Sequence, residues 1–414
     1  MRPRPTEILV CTLLAVLGCG SGEARLSTGL DLLCEQEFAP LRGLAVGVVT
    51  NQTGANREGE HVVDLLYRAP DVRLHAIFAP EHGLRSLAER GESVADGRDE
   101  KTGCPVYSLY GSTRRPTPQM LRGVDVLLFD IQDVGARCYT YLSTLTLVLQ
   151  AAAENGIPLY LLDRPNPISG ALIEGPMLQP AWKSFVGFVP VPLRHGMTFG
   201  ELASMICGEG WIEGAECAEL KVFPVRSWNR NDFYPTAERN WLPTSPNIRS
   251  LQAALLYPGL VLLEASNVSE GRGTGRPFEL FGAPWISGRD LKSKLETMGF
   301  SALKIDTVSF IPRSIPGAAL NPKHLGVLCR GCRLEVTDPA RFHSVAFGIH
   351  LLRALKQLYP EHLTLNASGL NRLSGDERLY NGLEKNTPVD DIIAQWSKAI
   401  GDFERQRRPY LLYP

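Results

Sequence analysis

The chain has 414 residues, 44% of them hydrophobic and 21% charged, with a formal net charge of −1. At about 100–200 residues per domain, this is enough for two domains with sizeable cores. So even a charge balance offers no basic surface for nucleic acid or for an anionic membrane.

Residues 1–18 read as an export signal. Arg2 and Arg4 precede an apolar run from Ile8 to Leu17 that is shorter than the roughly 20 residues needed to span a bilayer. Cys19 directly follows Gly18, which looks like a bacterial lipoprotein signal with Cys19 as the acylated residue. Leu17 and Glu7 depart from that pattern. Residues 19–29 then serve as a short linker, and the protein is expected to be exported, either periplasmic or held at the membrane by a lipid on Cys19. Apart from Cys11 and Cys19, seven cysteines are scattered along the chain. Cys329-Arg-Gly-Cys332 is a lone CxxC without the second pair that zinc requires, and reads as a strand or turn with at most one local disulfide.

Ala45–Thr50, Val72–Ala79, Val124–Asp130 and Ile157–Asp163 are short apolar runs, each entering a polar or Pro/Gly-rich turn. Between them, Val62, Val63, Leu65 and Leu66 mark one helix, and Leu142, Leu145, Leu149 and Ala152 another, with Gly156 as its cap. Such alternation predicts an α/β domain with a parallel sheet covered on both faces, here taken as residues 30–240. From Phe185 the texture changes. Strand-like pieces at Phe185–Leu193, Leu220–Val225, Leu303–Phe310 and Gly326–Val336 mix with shorter helices. Thr198-Phe-Gly-Glu201 predicts a capping box, Asp338-Pro339 another helix start, and Ile392 to Phe403 a final amphipathic helix. A smaller α+β domain is therefore expected, beginning between Ile173 and Pro284 and assigned to 241–414.

In an open parallel sheet, ligands bind outside the carboxyl ends of the strands. Four successive strand ends here carry reactive side chains: Asn51 after the first; Glu81 and His82 after the second; Asp130, Gln132, Asp133, Arg137, Tyr139 and Tyr141 after the third; Asp163, Arg164 and Asn166 after the fourth. Neither GxGxxG nor GxxxxGK[ST] is present, so the phosphate-binding devices of nucleotide enzymes are missing. Glu81-His82 suggests a proton donor; its bland reading is an ion pair of Glu81 with Arg85. HExxH is excluded by Arg85 and Ser86. Asp130 and Asp133 read equally as catalytic carboxylates or as caps of their own turn, and Asp163 as an orienter. Arg137 with Tyr139 and Tyr141 suits sugar and carboxylate recognition, although Tyr141 also reads as core. Farther on stand His195, Asn247 in a rigid Pro-Thr-Ser-Pro-Asn turn, and the glycine-rich loop with Glu264, Asn267, Glu270 and Arg272. Glu201, in the capping box, reads as structural.

Six motifs in order, FAPEHGLR (78–85), FDIQDVGARCYTY (129–141), LDRPNP (162–167), RHGMTFGELA (194–203), SPN (245–247) and EASNVSEGRGTGRPFE (264–279), resemble the NamZ-type exo-β-N-acetylmuramidases. The similarity runs from about Leu30 to the end of the chain, with Cys138 and Ser86 as departures from the pattern. The resemblance implies a Rossmann-like N-terminal domain, a smaller C-terminal domain, and a cleft between them. That cleft would take N-acetylmuramic acid from the non-reducing end of peptidoglycan disaccharides and muropeptides, in cell-wall turnover. It also implies Glu81 as the catalytic residue. Glycoside hydrolysis usually pairs a protonated acid with a second carboxylate; Glu81 suits the acid if shielded, with His82 orienting it. The second carboxylate is open among Glu264, Glu270, Asp130 and Asp133, or is replaced by the substrate's 2-acetamido group. Arg137 is the first choice for the lactyl carboxylate and Arg272 the second. No metal or organic cofactor is required. Two alternatives are a metal-dependent amidase or esterase built on Glu81, His82, Asp130 and His195, and a non-catalytic muropeptide-binding lipoprotein.

Overall fold

The computed structural model describes residues 25–414 apart from 82, 85–96, 112, 214–215, 218 and 237. The four apolar runs become strands β1 (Ala45–Thr50), β2 (Arg73–Ala79), β5 (Val126–Asp130) and β6 (Leu159–Leu162), and two further short strands, β3 (Gly97–Arg98) and β4 (Pro105–Ser108), lie between β2 and β5 in sequence. β7 (Glu174–Met177) and β8 (Pro192–Arg194) pair separately, and β9 (Leu220–Phe223) completes the main sheet. Its order is β3-β4-β2-β1-β5-β6-β9, parallel throughout except for β3 on β4. Every residue of β1 is buried, as expected of an apolar strand covered on both faces. From β1 the chain builds outward first through β2 and then, on the other side, through β5, so the topological switch lies between β1 and β5.

Helix α1 (Gly29–Glu35) precedes the sheet, α2 (Val62–Arg68) links β1 to β2, and α3 (Tyr141–Asn155) links β5 to β6. α3 ends at Gly156 with φ 62°, the left-handed cap its sequence predicts. α4 (Phe199–Gly208) opens on the Thr198–Glu201 capping box. Glu201 is also ion-paired to Arg230 in the interior, which makes it structural.

The C-terminal half packs α5 (Leu251–Leu260), α6 (Gly288–Glu296) and α7 (Ser344–Leu358) around an antiparallel sheet of β10 (Leu280–Ala283), β11 (Leu303–Phe310) and β12 (Cys329–Val336), in the order β10-β12-β11. α5 and α7 touch through glycine. A Cβ on Gly259 would stand 2.0 Å from the Ser344 carbonyl oxygen, and one on Gly348 2.4 Å from that of Gly259. Any larger residue would force the helices apart. One apolar cluster runs from Leu127, Phe129 and Leu145 through Tyr257 and Phe281 to Ile349 and Trp396, so the two halves share a core. A second cluster, including Val46, Val48, Leu66 and Leu128, fills the opposite face of the main sheet.

Some expectations shift. Of Phe185–Leu193, only its last two residues enter a strand, β8. The helix expected from Asp338 begins at Ser344, and the final amphipathic helix is two, Val389–Ala394 and Ser397–Arg407, with Trp396 buried at the break. Cys329 and Cys332 lie on β12 as free, buried thiols. Residues three apart on a strand point to opposite faces, beyond disulfide reach. The disulfide found instead is Cys207–Cys217. Among the described residues, no helix is long and apolar enough to cross a membrane.

Candidate active site

β2 delivers its polypeptide to the sheet edge, where Glu81 follows Pro80 and is only 4% exposed. Thr140 donates its hydroxyl to the Glu81 Oε2 at 2.6 Å. Thr140 stands just before α3, where a threonine commonly caps, yet its backbone is already helical (φ −64°, ψ −15°) and its side chain makes no cap bond. The hydroxyl serves Glu81 instead. Sequence reasoning missed this residue. The signal was a helix-entry threonine inside a motif rich in site residues.

Glu81, Cys138, Tyr139, Thr140 and Val186 from one half of the chain, and Ser245, Ile248, Tyr257, Glu264, Arg272, Phe278 and Leu373 from the other, line a single cavity. The expected meeting of Glu81 with the 264–272 loop therefore occurs. Arg272 bonds Glu264 at 2.8 Å and approaches Glu270 at 3.2 Å, while its guanidinium lies 5.2 Å from the centre of the Phe278 ring. Lys323 holds the far side of Glu270 at 3.0 Å and donates to the carbonyls of Leu263 and Val268. Glu270 thus braces Arg272 and does not itself line the cavity. Gly271 takes φ +83°, and a Cβ there would stand 2.6 Å from the Leu280 carbonyl oxygen, so only glycine fits this bend. Phe278 takes φ +62°, a left-handed conformation that costs an aromatic residue about 1–3 kcal/mol. Its N–H bond to the Glu270 carbonyl and its full burial hold it there. Tyr139, Tyr257 and Phe278 meet edge to face, at 5.6 and 5.0 Å between ring centres, and form one wall. Burial pushes the Cys138 thiol up to about 12, so it is no nucleophile at neutral pH.

Several expected ligand contacts belong instead to the scaffold. Arg137, the first choice for the lactyl carboxylate, is fully buried and does not line the cavity. It donates to the carbonyls of Pro176 (2.8 Å), Val191 (2.7 Å), Leu373 (3.3 Å) and Ser374, and its burial lowers its pKa to about 10. Tyr141 is core, with its hydroxyl on the Thr244 carbonyl at 2.6 Å. Asp130 and Arg164 form a bidentate buried pair, at 2.6 and 3.0 Å. Gln132 donates to the carbonyls of Asp133 and Pro165, Asn166 to that of Met197, and Asn247 to that of Ala318. The Asn51 side-chain oxygen accepts from Thr53. Asn267 ties its loop to His362 and Thr364. His195 is fully buried outside the cavity. Its Nδ1 accepts from the Met197 N–H, and its Nε2 stands 3.3 Å from Asp133. Asp133 also caps the Gly135 N–H at 2.9 Å, the turn role that competed with catalysis. His82 lies outside the described residues. Among the described residues, no three His, Cys, Asp or Glu side chains gather as a ligand set, and Asp130, one member of the metal alternative, is already held by Arg164.

A model of the NamZ exo-β-N-acetylmuramidase N-terminal domain matches residues 46–252, and one of the C-terminal domain matches 255–413. The chain belongs to the NamZ family. It is 42% identical over 390 residues to the peptidoglycan β-N-acetylmuramidase NamZ of Bacillus subtilis, covering 94% of this chain and 92% of that one. Two solved structures of DUF1343 family proteins from Bacteroides fragilis superpose on it. One has a TM-score of 0.85 at 33% identity, the other 0.77 at 32%, each covering 94% of this chain and 99% of that one.

In this NamZ-family chain, the LDRPNP motif serves as a clasp. Asp163 accepts from the Gly200 N–H at 2.9 Å and the Thr198 hydroxyl at 2.7 Å, anchoring the start of α4 to the end of β6. Tyr413, from the far end of the sequence, donates its phenol to the same carboxylate and accepts the Val225 N–H at 3.0 Å. Burial raises the Asp163 pKa to about 6 even though these donors favour the anion.

Proposed function

We infer that this protein is an exo-acting glycosidase that hydrolyses the bond between a non-reducing-end N-acetylmuramic acid and the rest of a peptidoglycan fragment. The meeting of Glu81 with Glu264 and Arg272 in one aromatic-walled cavity, in a chain of the NamZ family, carries this reading. As the bond from the sugar's anomeric carbon to the glycosidic oxygen breaks, Glu81 gives its proton to the departing oxygen. Glu264, which shares the cavity, is the second carboxylate; water supplies the new hydroxyl on the anomeric carbon, and its other proton returns to the carboxylate pair. Glu270 and Lys323 hold Arg272 in place from behind.

Muramic acid differs from N-acetylglucosamine by a lactyl ether that ends in a carboxylate. With Arg137 committed to carbonyls, Arg272 is the arginine lining the cavity among the described residues, and a lactyl carboxylate there would share its guanidinium with Glu264 and Glu270. The test is incubation with a muramic acid–glucosamine disaccharide and with chromogenic glycosides of both sugars. Wild-type protein is expected to release muramic acid, and no release would overturn the reading. Arg272→Ala is expected to lower kcat/KM for the muramic acid glycoside about thirtyfold more than for the glucosamine one, as for loss of a buried charge partner. Equal losses would return Arg272 to the scaffold.

The same reading places the protein outside the cytoplasm, in cell-wall turnover. The basic and apolar start of the chain and Cys19 support export with a lipid anchor, and the Cys207–Cys217 disulfide fits an oxidising compartment. Cys19 itself lies outside the described residues. Expressed from its full sequence, the protein is expected in the membrane fraction and Cys19→Ala in the soluble fraction. The same distribution for both would remove the anchor.

A further inference from the structure

Val186 reaches the catalytic cavity from a tight turn in which Ser184 and Gly187 exchange backbone hydrogen bonds at 2.8 and 3.0 Å. Its neighbours line a second hollow. Phe185 and Phe188, with Arg114, Arg115 and Lys183, border an open groove of about 630 Å³. The Arg114 guanidinium stands 4.6 Å from the centre of the Phe185 ring and the Lys183 ammonium 4.7 Å from that of Phe188. Among the described residues, every charged side chain lining this groove is a cation. Arg115 and Lys183 pair with Glu154 and Glu213, which do not line it. These are exposed pairs, worth little, so an incoming carboxylate exchanges with them at small cost.

We propose that this groove is a subsite for the glycan that trails from the cavity, and that its cations take the carboxylate of the next muramic acid along that strand. The proposal rests on the function inferred above. In an alternating glycan, a disaccharide ends one sugar beyond the scissile bond, whereas a tetrasaccharide carries a second lactyl carboxylate two sugars beyond it. Val186 lines the cavity and its neighbours Phe185 and Phe188 line the groove, so one short turn borders both hollows. Phe185 and Phe188 hold Arg114 and Lys183 over their rings, and with Arg115 these cations offer a positive field matched to one carboxylate in every second sugar. No bond is made or broken there. The groove contributes affinity and direction.

The experiment measures kcat and KM on the peptide-free disaccharide and tetrasaccharide, for wild type and for Arg114→Glu/Lys183→Glu, with thermal melts to confirm folding. Wild type is expected to show the lower KM on the tetrasaccharide. The double variant is expected to raise that KM about tenfold with kcat kept, and to leave the disaccharide unchanged. Added salt should erode the same preference in the wild type. Arg114→Ala, a milder change at an exposed position, carries the test if the double variant does not fold. Equal KM values for the two substrates in the wild type, or equal shifts on both in the variant, overturn the subsite. A wild type that cleaves neither substrate overturns the inferred function instead.

Discussion

Glu81→Gln is expected to fold like the wild type and to lose about a hundredfold or more in kcat/KM on the disaccharide, the scale of general acid catalysis. Glutamine keeps the shape of the side chain and an oxygen that can accept from Thr140, but it has no acidic proton for the leaving sugar. The substitution therefore separates chemistry from architecture. Substrates whose leaving group is a good anion need less protonation, so the deficit should shrink on nitrophenyl glycosides. His82→Ala should cost less than Glu81→Gln, because His82 is assigned to orient the acid. Near-normal disaccharide turnover by folded Glu81→Gln would end the assignment.

Arg137→Met is expected to lower the unfolding free energy by about 3–5 kcal/mol, read from denaturant midpoints at constant slope. The Arg137 guanidinium ties Pro176, Val191 and the end of the Ala367–Ser374 helix together, and methionine would leave their four buried carbonyls short of a donor. Whatever activity remains should fall alike on muramic acid and glucosamine glycosides, since the arginine does not line the cavity. A wild-type midpoint with a selective loss on muramic acid would restore the carboxylate-binding role that its motif first suggested.

Arg137 shows where sequence reading stops. The apolar runs around it were legible: β1 spans the expected Ala45–Thr50 and β11 the expected Leu303–Phe310. Continuous burial leaves a local signature, and so does a capping box. A side chain's partners leave none when they lie far away in sequence. Arg137 finds Ser374 across 237 positions, and Arg164 finds Asp130 across 34. The sequence reading placed the segments around Glu81 and Glu264 at one site, and both line the same cavity. It did not divide their polar residues between cavity and scaffold. Thr140 escaped notice for the converse reason: a helix-entry threonine is so often a cap that its alternative use shows only in the backbone angles. The short edge strand β3 and its neighbour β4 also lacked a continuous apolar run, with Pro105 opening β4.

The clasp between Asp163 and Tyr413 has a consequence in time. The two residues are 250 positions apart, and Arg230, which pairs with Glu201, also donates to the Tyr413 carbonyl. At 5–20 residues per second, a ribosome reaches Tyr413 roughly 10–50 s after it has made Asp163. Throughout that interval, the end of β6 and the start of α4 lack the phenol that joins them to Val225. The main sheet, although built largely from early sequence, cannot settle into its final form while the chain is still emerging.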